Sequence, residues 1–329
     1  MKNTFLIILI IFVGVSSCQD PYIGFNSLNQ DEQIITDTII PNPDITVPDT
    51  ITPEESENDS QATGVACDSS NKRKTFTELI EIIEIPDDLP ENHDLSENMP
   101  PVRSQGKQGS CVAWATTYYL KSYQEKIQNE YDYLSYENVM SPAFVYNQSK
   151  VNPNCNSGSA IESALEVLKE QGVNSWKDFP YSEDQCAALP TDKLLLVAKE
   201  NKIKEYFQVG IPDTIVPVNY TLINLVKTLI YQKNPIVISM DFENLVFENE
   251  IAGFIANTYS TNPIDATCGH AILIVGYNDG LNAFKIVNSW GTSWGNEGYA
   301  WVHYDFFLPD ESSDFQEGLT GAFIAYDED

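Results

Sequence analysis

Basic residues are scarce in this chain. Of its 329 residues, 18 are Lys or Arg and 48 are Asp or Glu, which gives a formal net charge of −30 and an isoelectric point near 4.2. Such a surface repels nucleic-acid phosphates, so we expect no nucleic-acid partner. It also excludes electrostatic attachment to an anionic membrane leaflet. Beyond that, an acidic surface favours solubility and carries no information about the fold.

The apolar run at the N-terminus, residues 5–15, is too short to cross a bilayer, which requires about 20 residues. A run of this length after Lys2 is typical of a secretory signal peptide. It ends in the sequence VSSC at Cys18, which resembles the lipobox of bacterial lipoproteins. That resemblance implies cleavage before Cys18 and diacylglyceryl attachment to its sulfur. The alternative is an ordinary signal peptide with a chance cysteine.

Lys and Arg are absent from residues 3–71, where acidic residues and prolines recur. Such a composition cannot bury enough apolar surface to offset its ordering entropy, so it predicts disorder. We expect a signal peptide (1–17), a disordered acidic tether (18–71), a connecting segment (72–86) and one folded domain (87–329). A folded inhibitory prodomain is the alternative for the tether, but no long amphipathic helix supports it. An exported lipoprotein of the cell envelope is expected, on its periplasmic face or at the cell surface.

Within the folded domain, helical periodicity comes first and strand periodicity second. Apolar residues predict a central helix that starts near Cys111 and a third helix over residues 222–230. Ser159 and Glu162 predict a capping box at the start of the second helix. Strands are predicted at residues 236–238, 271–275, 284–287 and 299–302. Helices followed by strands predict an α+β fold.

The candidate nucleophile is Cys111, which closes the segment QGKQGSC at residues 105–111. It falls at the predicted N-terminus of the central helix, where unpaired amides and the helix dipole favour a thiolate. Gly109 allows the backbone to turn sharply into that helix. Gln105 could direct its side-chain amide at a developing oxyanion, beside the Cys111 backbone N–H. A thiol in this setting predicts covalent acyl transfer.

Histidine is rare, and this helps to identify a base. His93 lies in a polar stretch and His303 alternates within a strand, so His270, at the start of an apolar strand, is the candidate. A hairpin folded symmetrically about Asp279 would place Asn288 directly opposite His270. The Asn288 amide could then orient the imidazole, as the third member of a catalytic triad does. The alternative is that Asn288 merely ends a strand.

Four cysteines remain besides Cys18 and Cys111. Cys155 and Cys186 lie in loop-like sequence, and an exported protein sits in an oxidising compartment, so we predict a disulfide between them. Closing a loop of that length would stabilise the protein by roughly 3–4 kcal/mol. Cys67 and Cys268 have no assigned partner.

The segments around these residues resemble the papain-like cysteine peptidases, in a bacterial form. Residues 101–111 are similar to the family's segment around its nucleophile, and residues 269–277 to its histidine strand. The sequence NSWGTSWGNEGY at residues 288–299 is a close match to its asparagine segment. Residues 89–95 are similar to the family's mature N-terminus, so the resemblance covers roughly residues 87–329.

The resemblance implies a two-lobed α+β fold, with a helical lobe packed against an antiparallel sheet or barrel lobe and the active site in the cleft between them. It implies these roles: Cys111 as nucleophile, His270 as acid and base, Asn288 as the residue that orients the imidazole, and Gln105 as oxyanion donor. It also places Gly158 in a loop that pairs with the substrate backbone. Cys268 and Ala271 flank His270 and are expected to line the substrate pocket. Trp290 is expected there too, covering the His–Asn bond or packing as a core aromatic.

Two positions depart from the family pattern. Gln108 stands where the family usually has cysteine, which removes one expected disulfide and leaves Cys155 free to pair with Cys186. Val112 stands where tryptophan is usual, which changes the packing beside the nucleophile. The family's long helical propeptide is also missing.

The expected function is that of an exported, lipid-anchored cysteine endopeptidase that hydrolyses peptide bonds through a Cys–His–Asn triad. It would act on polypeptides as a monomer, without a cofactor or metal, and meet the membrane only through its lipid anchor. Two alternatives stay open. One is an amidase or transpeptidase with the same triad, and the other is a catalytically inactive, peptide-binding lipoprotein.

Overall fold

The fold was derived from a computed structural model of the chain. The structure describes residues 64–65, 83–209, 221–240, 242, 245–250, 253–259, 269–307 and 319–327. The predicted signal peptide, the predicted lipidation site Cys18, most of the predicted tether, Cys67 and Cys268 lie outside the described residues, so what was predicted of them stays a prediction. None of the helices in the described ranges is both long enough and apolar enough to cross a membrane.

Five helices longer than a single turn occur in the described residues. Helix α1 combines an α-helical turn, a π-helical stretch and a second α-helical part: Cys111–Ala113, Trp114–Lys121 and Ser122–Asn129. The others are α2 (Pro142–Ser149), α3 (Ile161–Glu170), α4 (Asp192–Ala198) and α5 (Leu222–Tyr231). Short 3-10 turns lie at Ser96–Asn98 and Tyr304–Phe307. The predicted start of the central helix at Cys111 and the predicted third helix are confirmed.

Helix α1 is central because it is apolar around most of its surface. Every residue from Cys111 to Lys121 is buried. The one charge on this stretch, Lys121, is compensated by Glu125, whose carboxylate lies 2.7 Å from the ammonium, and by Asp327 near the end of the last strand. A buried ammonium without such partners would be strongly unfavourable. The Lys121–Asp327 pair also connects the helix to strand β9 of the sheet.

Helix α3 buries the predicted stripe, which consists of Ile161, Ala164, Leu165 and Leu168. The predicted capping box, however, is wrong. The helix begins at Ile161 with Ala160 as its N-cap, and no side chain caps it. The Ser159 backbone instead forms isolated β-bridges with Val65 and Lys150, so this residue is held in a strand-like conformation. Its hydroxyl is buried and has no hydrogen-bond partner in the described part of the chain.

Nine strands in the described residues form one mostly antiparallel sheet. They are β1 (Asn92–Asp94), β2 (Ile203–Gln208), β3 (Ile236–Met240), β4 (Leu245–Glu250), β5 (Gly253–Tyr259), β6 (His270–Asn278), β7 (Ala283–Val287), β8 (Tyr299–His303) and β9 (Leu319–Asp327). Their order is β2-β9-β3-β6-β7-β8-β5-β4, and β1 pairs with β6. Among the strand pairs of the described residues, only β5–β8 is parallel. The four predicted strands correspond to β3, β6, β7 and β8.

The register of the β6–β7 hairpin differs from the predicted one. Asn278 pairs with Ala283, so the turn is longer than a symmetrical hairpin about Asp279 requires. A bulge between Ile274 and Gly276 then shifts the pairing again. These two irregularities are local backbone features that the alternation of apolar residues does not reveal.

The shifted register still leaves His270 and Asn288 on one face of the sheet. Leu273 pairs with Val287, so continuing that register places Ile272, not His270, opposite Asn288. His270 lies two residues farther along the same strand. Because side chains alternate with a period of two, residues 270 and 272 point to the same face. The predicted register was therefore wrong, but the two side chains do lie on the same face of the sheet, as predicted.

The architecture is α+β, as predicted. The first turns of α1 pack against β6 and β3, which are central strands of the sheet. Residues from Ile272 to Val275 in β6 are almost completely buried against this helix and its neighbours. The packing brings the N-terminus of α1 close to the beginning of β6. Cys111 and His270 are the first residues of those two elements.

Candidate active site

Cys111 is held at the N-terminus of α1 by a tight backbone turn. The Gly109 amide donates to the Cys155 carbonyl at 2.8 Å. A Cβ on Gly109 would lie 2.8 Å from the Asn156 carbonyl oxygen, closer than packing allows. A residue with a side chain at 109 would therefore push the chain away from the loop at 154–158 and move Cys111 with it.

The Cys111 sulfur lies among backbone N–H groups from three parts of the fold. The amides of Ala271, Gly64 and Val112 all point at it. Because Ala271 directly follows His270, the sulfur sits at the beginning of β6. These donors favour the thiolate, but complete burial outweighs them and raises the pKa of Cys111 to about 11. Burial therefore opposes the thiolate that the helix N-terminus was expected to favour.

His270 and Asn288 form a buried hydrogen bond. The distance from His270 Nε2 to Asn288 Oδ1 is 2.8 Å, and both residues are 0% exposed. An amide oxygen only accepts, so Nε2 carries the proton and Nδ1 carries the lone pair. Nδ1 has no hydrogen-bond partner among the described residues. Burial lowers the pKa of His270 to about 4, although the bond to Asn288 acts in the opposite direction.

Aromatic rings enclose this hydrogen bond. Trp290 stacks on the His270 ring with centroids 4.5 Å apart and an interplanar angle of 28°. Phe242 packs against both rings, with centroids 5.3 Å from His270 and 5.4 Å from Trp290. The enclosure keeps water from competing for the bond and strengthens it. Trp290 lies where it was expected as a cover and is also packed against the core.

Gln105 is fully buried beside the other residues, with its amide oriented by hydrogen bonds at both ends. Its Oε1 accepts from the Ser289 hydroxyl at 2.6 Å, and its Nε2 donates to the Gln108 carbonyl at 2.9 Å. Its backbone amide donates to the Ser289 carbonyl at 2.8 Å. Ser289 follows Asn288, so one short segment fixes both the imidazole and this amide.

Two residues of the predicted tether lie across the sulfur. The Gly64 carbonyl accepts from the Ser159 amide at 2.9 Å, and the Val65 amide donates to the Gly269 carbonyl at 3.2 Å. A Cβ on Gly64 would lie only 2.2 Å from the Gly109 carbonyl oxygen. We call the groove between Gly109 and Ser159 on the helical side and Gly269 on the sheet side the cleft. Both residues fall within the predicted tether (18–71), whose disorder stays a prediction.

The remaining predicted residues are distributed around the cleft. The Gly158 carbonyl accepts from Val151 at 3.0 Å, and it is the neighbouring Ser159 that bonds to the chain segment in the cleft. Cys155 and Cys186 are joined by a disulfide. Cys268 lies outside the described residues. No group of three or more His, Cys, Asp or Glu side chains within the described ranges is arranged to hold a metal ion.

The sequence analysis did not identify Gly64, Ser159 or Gly269 as cleft residues. All three act through backbone groups, which every residue type carries. The one local signal is glycine at 64 and 269, where the backbones of Gly109 and of Met240 in β3, respectively, leave no space for a Cβ. In sequence alone those glycines are indistinguishable from ordinary loop residues.

Together, the fold and the site define a class of protein. It is an α+β protein in which a thiol at a helix N-terminus, an imidazole at the beginning of a strand and a side-chain amide converge on one cleft. A family model described as papain family cysteine protease matches residues 89–307. Since this is more than half of the chain, the chain belongs to the papain family of cysteine proteases.

Relatives and solved structures agree with this assignment. The chain is 27% identical over 218 residues to germination-specific cysteine protease 1 of Arabidopsis thaliana, covering 64% of this chain and 51% of that protein. It is 27% identical over 204 residues to cathepsin K of Mus musculus, covering 61% and 55%. The chain thus spans about half the length of these relatives.

Among solved structures, xylellain, a cysteine protease from Xylella fastidiosa, matches with a TM-score of 0.58 and 22% identity. The match covers 85% of this chain and 100% of that one. At this level of identity the likeness concerns the fold, and it supports the papain-like α+β architecture.

The buried neutral imidazole predicts a pH dependence of stability. The unfolded chain binds a proton at His270 below its ordinary pKa of 6.5, whereas the folded protein resists protonation down to about 4. Stability from this residue is therefore present above pH 6.5 and is lost as the pH falls towards 4, by up to about 1.4 kcal/mol per pH unit. Urea unfolding of Cys111→Ala and of Cys111→Ala/His270→Gln between pH 7 and 4.5 measures the difference. Parallel pH profiles for the two proteins would contradict the assignment.

Proposed function

We propose that this chain is an exported, lipid-anchored cysteine endopeptidase that hydrolyses peptide bonds. Cys111 is the nucleophile, His270 the acid and base, Asn288 the orienting residue and Gln105 an oxyanion donor. Membership of the papain family supports the activity. The observation that carries the residue roles is the enclosed His270–Asn288 hydrogen bond at 2.8 Å, beside the Cys111 sulfur.

The hydrogen bond matters because it decides which imidazole nitrogen can act. With Nε2 committed to Asn288, the lone pair on Nδ1 is the one available to take the thiol proton. The resulting thiolate attacks the substrate carbonyl carbon, forming a carbon–sulfur bond while the carbonyl π electrons move to oxygen. Donors from Gln105 and from the Cys111 backbone stabilise that oxyanion.

Collapse of the tetrahedral intermediate requires an acid. The imidazolium Nδ1–H of His270 donates its proton to the leaving amine nitrogen as the carbon–nitrogen bond breaks. Water then attacks the thioester, with His270 again taking a proton, and the carbon–sulfur bond to Cys111 breaks. The acid product leaves, and the thiol and neutral imidazole are restored.

The segment in the cleft favours an endopeptidase over an exopeptidase. Gly64 and Val65 belong to the interior of the chain, with further residues on both sides. Their backbone groups bond to the Ser159 amide and the Gly269 carbonyl, as a peptide bound in the cleft would. A cleft that holds an internal segment of chain suits cleavage within a polypeptide.

The first test is removal of the sulfur. In Cys111→Ala we expect hydrolysis of a denatured protein substrate to fall by at least about 10³-fold, because the covalent intermediate can no longer form. Labelling by a thiol-directed epoxide should disappear as well. Tyr133→Phe, which alters a tyrosine remote from the sulfur, serves as the control and should hydrolyse the substrate normally. Unchanged hydrolysis by Cys111→Ala would refute the proposal.

The second test concerns access to the sulfur, because a substrate and residues 64–65 cannot occupy the cleft together. Gly64→Val introduces a side chain where a Cβ alone would lie 2.2 Å from the Gly109 oxygen. Overpacking of this kind costs about 1–3 kcal/mol, so the segment should leave and alkylation of Cys111 by iodoacetamide should accelerate roughly 10-fold. Mass spectrometry of the tryptic peptide 108–121 measures the rate at this cysteine alone.

Gly280→Val, in the β6–β7 turn at the far end of β6, is the matched control and should leave the alkylation rate unchanged. Equal rates for Gly64→Val and the parent chain would show that the segment does not limit access to Cys111.

The proposed envelope location rests on the N-terminal sequence. The apolar run at residues 5–15 and Cys18 directly after small residues support lipidation at that cysteine. When the chain is expressed in bacteria fed an alkyne-tagged fatty acid, we expect it to incorporate the tag and sediment with membranes. Cys18→Ser should lose both properties, whereas Cys67→Ser should keep them. Retention of the tag in Cys18→Ser would exclude Cys18 as the anchor.

A further inference from the structure

Gln105 begins a loop whose conformation is held by contacts to other segments of the chain. We call residues 105–110 the oxyanion loop. An amide stabilises an oxyanion only if its N–H points at the position where the charge develops. The loop contains two glycines and no regular secondary structure, so its own conformational preferences do not fix that direction. Contacts to other segments must supply the constraint.

Ser289 holds the Gln105 side-chain amide, and Tyr181 holds the backbone of the loop. The Tyr181 hydroxyl donates to the Gln105 carbonyl at 2.8 Å and lies 2.7 Å from the Ser110 hydroxyl. The phenol has one proton and gives it to Gln105, so Ser110 donates to the phenol oxygen. A single side chain therefore bridges the first and last residues of the oxyanion loop. The residue after Ser110 is the nucleophile.

The next two residues extend this contact along the loop. The Ser182 carbonyl accepts from the Gln108 side-chain amide at 3.1 Å, and the Glu183 carboxylate accepts from the Lys107 backbone amide at 2.8 Å. Gln108 stands where the family usually has a cysteine, so this hydrogen bond holds the loop where a disulfide would otherwise do so. Residues 181–183 thus contact the loop at both its ends and its middle.

The Cys155–Cys186 disulfide anchors the supporting segment to the opposite side of the loop. Cys186 comes three residues after Glu183, and the Cys155 carbonyl accepts from the Gly109 amide at 2.8 Å. The Tyr181 ring is itself packed against Trp114 and Trp176, with centroids 5.1 and 5.7 Å away. The phenol is therefore held by groups other than the loop it contacts.

We propose that Tyr181 is a positioning residue, which holds the Gln105 amide at the point where the oxyanion forms by bridging the two ends of the oxyanion loop. The inference rests on the proposed role of Gln105 as oxyanion donor. It assigns Tyr181 no contact with substrate.

A double-mutant cycle with a peptide aldehyde tests the inference without requiring turnover. The aldehyde bonds to the Cys111 sulfur to give a hemithioacetal, and the thiol proton passes to the former carbonyl oxygen. All proteins carry Gly64→Val, so that residues 64–65 do not compete for the cleft. Tyr181→Phe keeps the ring packing and should weaken aldehyde binding about 10-fold, less than the roughly 10²- to 10³-fold cost of deleting an oxyanion donor. In Gln105→Ala, adding Tyr181→Phe should have no further effect.

Alkylation by iodoacetamide, which forms no oxyanion, distinguishes positioning from a general structural role. Its rate at Cys111 should be the same in Tyr181→Phe and its parent. Tyr133→Phe is the matched control, since that hydroxyl lies 2.9 Å from the Ser122 carbonyl oxygen and 3.1 Å from that of Asn98, away from the loop. It should leave aldehyde binding unchanged.

The inference is overturned if Tyr181→Phe binds the aldehyde as its parent does, or weakens it equally with and without Gln105. It is overturned too if the parent binds no aldehyde, because there is then no oxyanion site to position. A protein that completes the cycle as expected but hydrolyses no peptide would instead refute the proposed function and leave the role of Tyr181 standing.

Discussion

The hydrogen bond from His270 to Asn288 is the interaction on which the rest of the site depends. It assigns a proton to Nε2 and so leaves on Nδ1 the lone pair that the proposed mechanism uses to take the thiol proton. The bond persists because Trp290 stacks on the ring and Phe242 closes the side, at a centroid distance of 5.3 Å from the imidazole. The sheet supplies the rigid frame, since His270 begins a strand whose following residues are almost fully buried. The packing of the apolar core therefore also fixes the geometry of the proposed catalytic residues.

Burial gives the site its stability and also suppresses its charge. It raises the pKa of Cys111 to about 11 and lowers that of His270 to about 4, so the two groups are a neutral thiol and a neutral imidazole while the cleft is filled. The helix N-terminus alone is not enough to ionise the sulfur. Gly64 is part of the cover, because its amide points at the sulfur and no side chain would fit at this position. Burial of the sulfur therefore opposes its ionisation.

The sequence predicted what is local and specific to residue type. The start of α1 at Cys111, the buried stripe of α3 and the four strands follow from periodicity and from glycine placement. The hairpin register was wrong because a bulge at residue 275 and a longer turn are backbone irregularities. The capping box was wrong because the Ser159 backbone is held by distant residues. The position of Gly64 in the cleft could not be predicted. Backbone hydrogen bonds between remote segments do not depend on residue type, so the sequence of neither segment reveals them.

The π-helical stretch within α1 affects how this chain should be compared with its relatives. Its hydrogen bonds span five residues, as from the Ser122 amide to the Thr117 carbonyl, whereas an α-helix spans four. A relative that is α-helical throughout reaches the same face of the helix with fewer residues. An ungapped alignment through Trp114–Lys121 would then match side chains that point in different directions, including the buried Lys121. Side chains beyond Ala113 are therefore best compared by structural superposition.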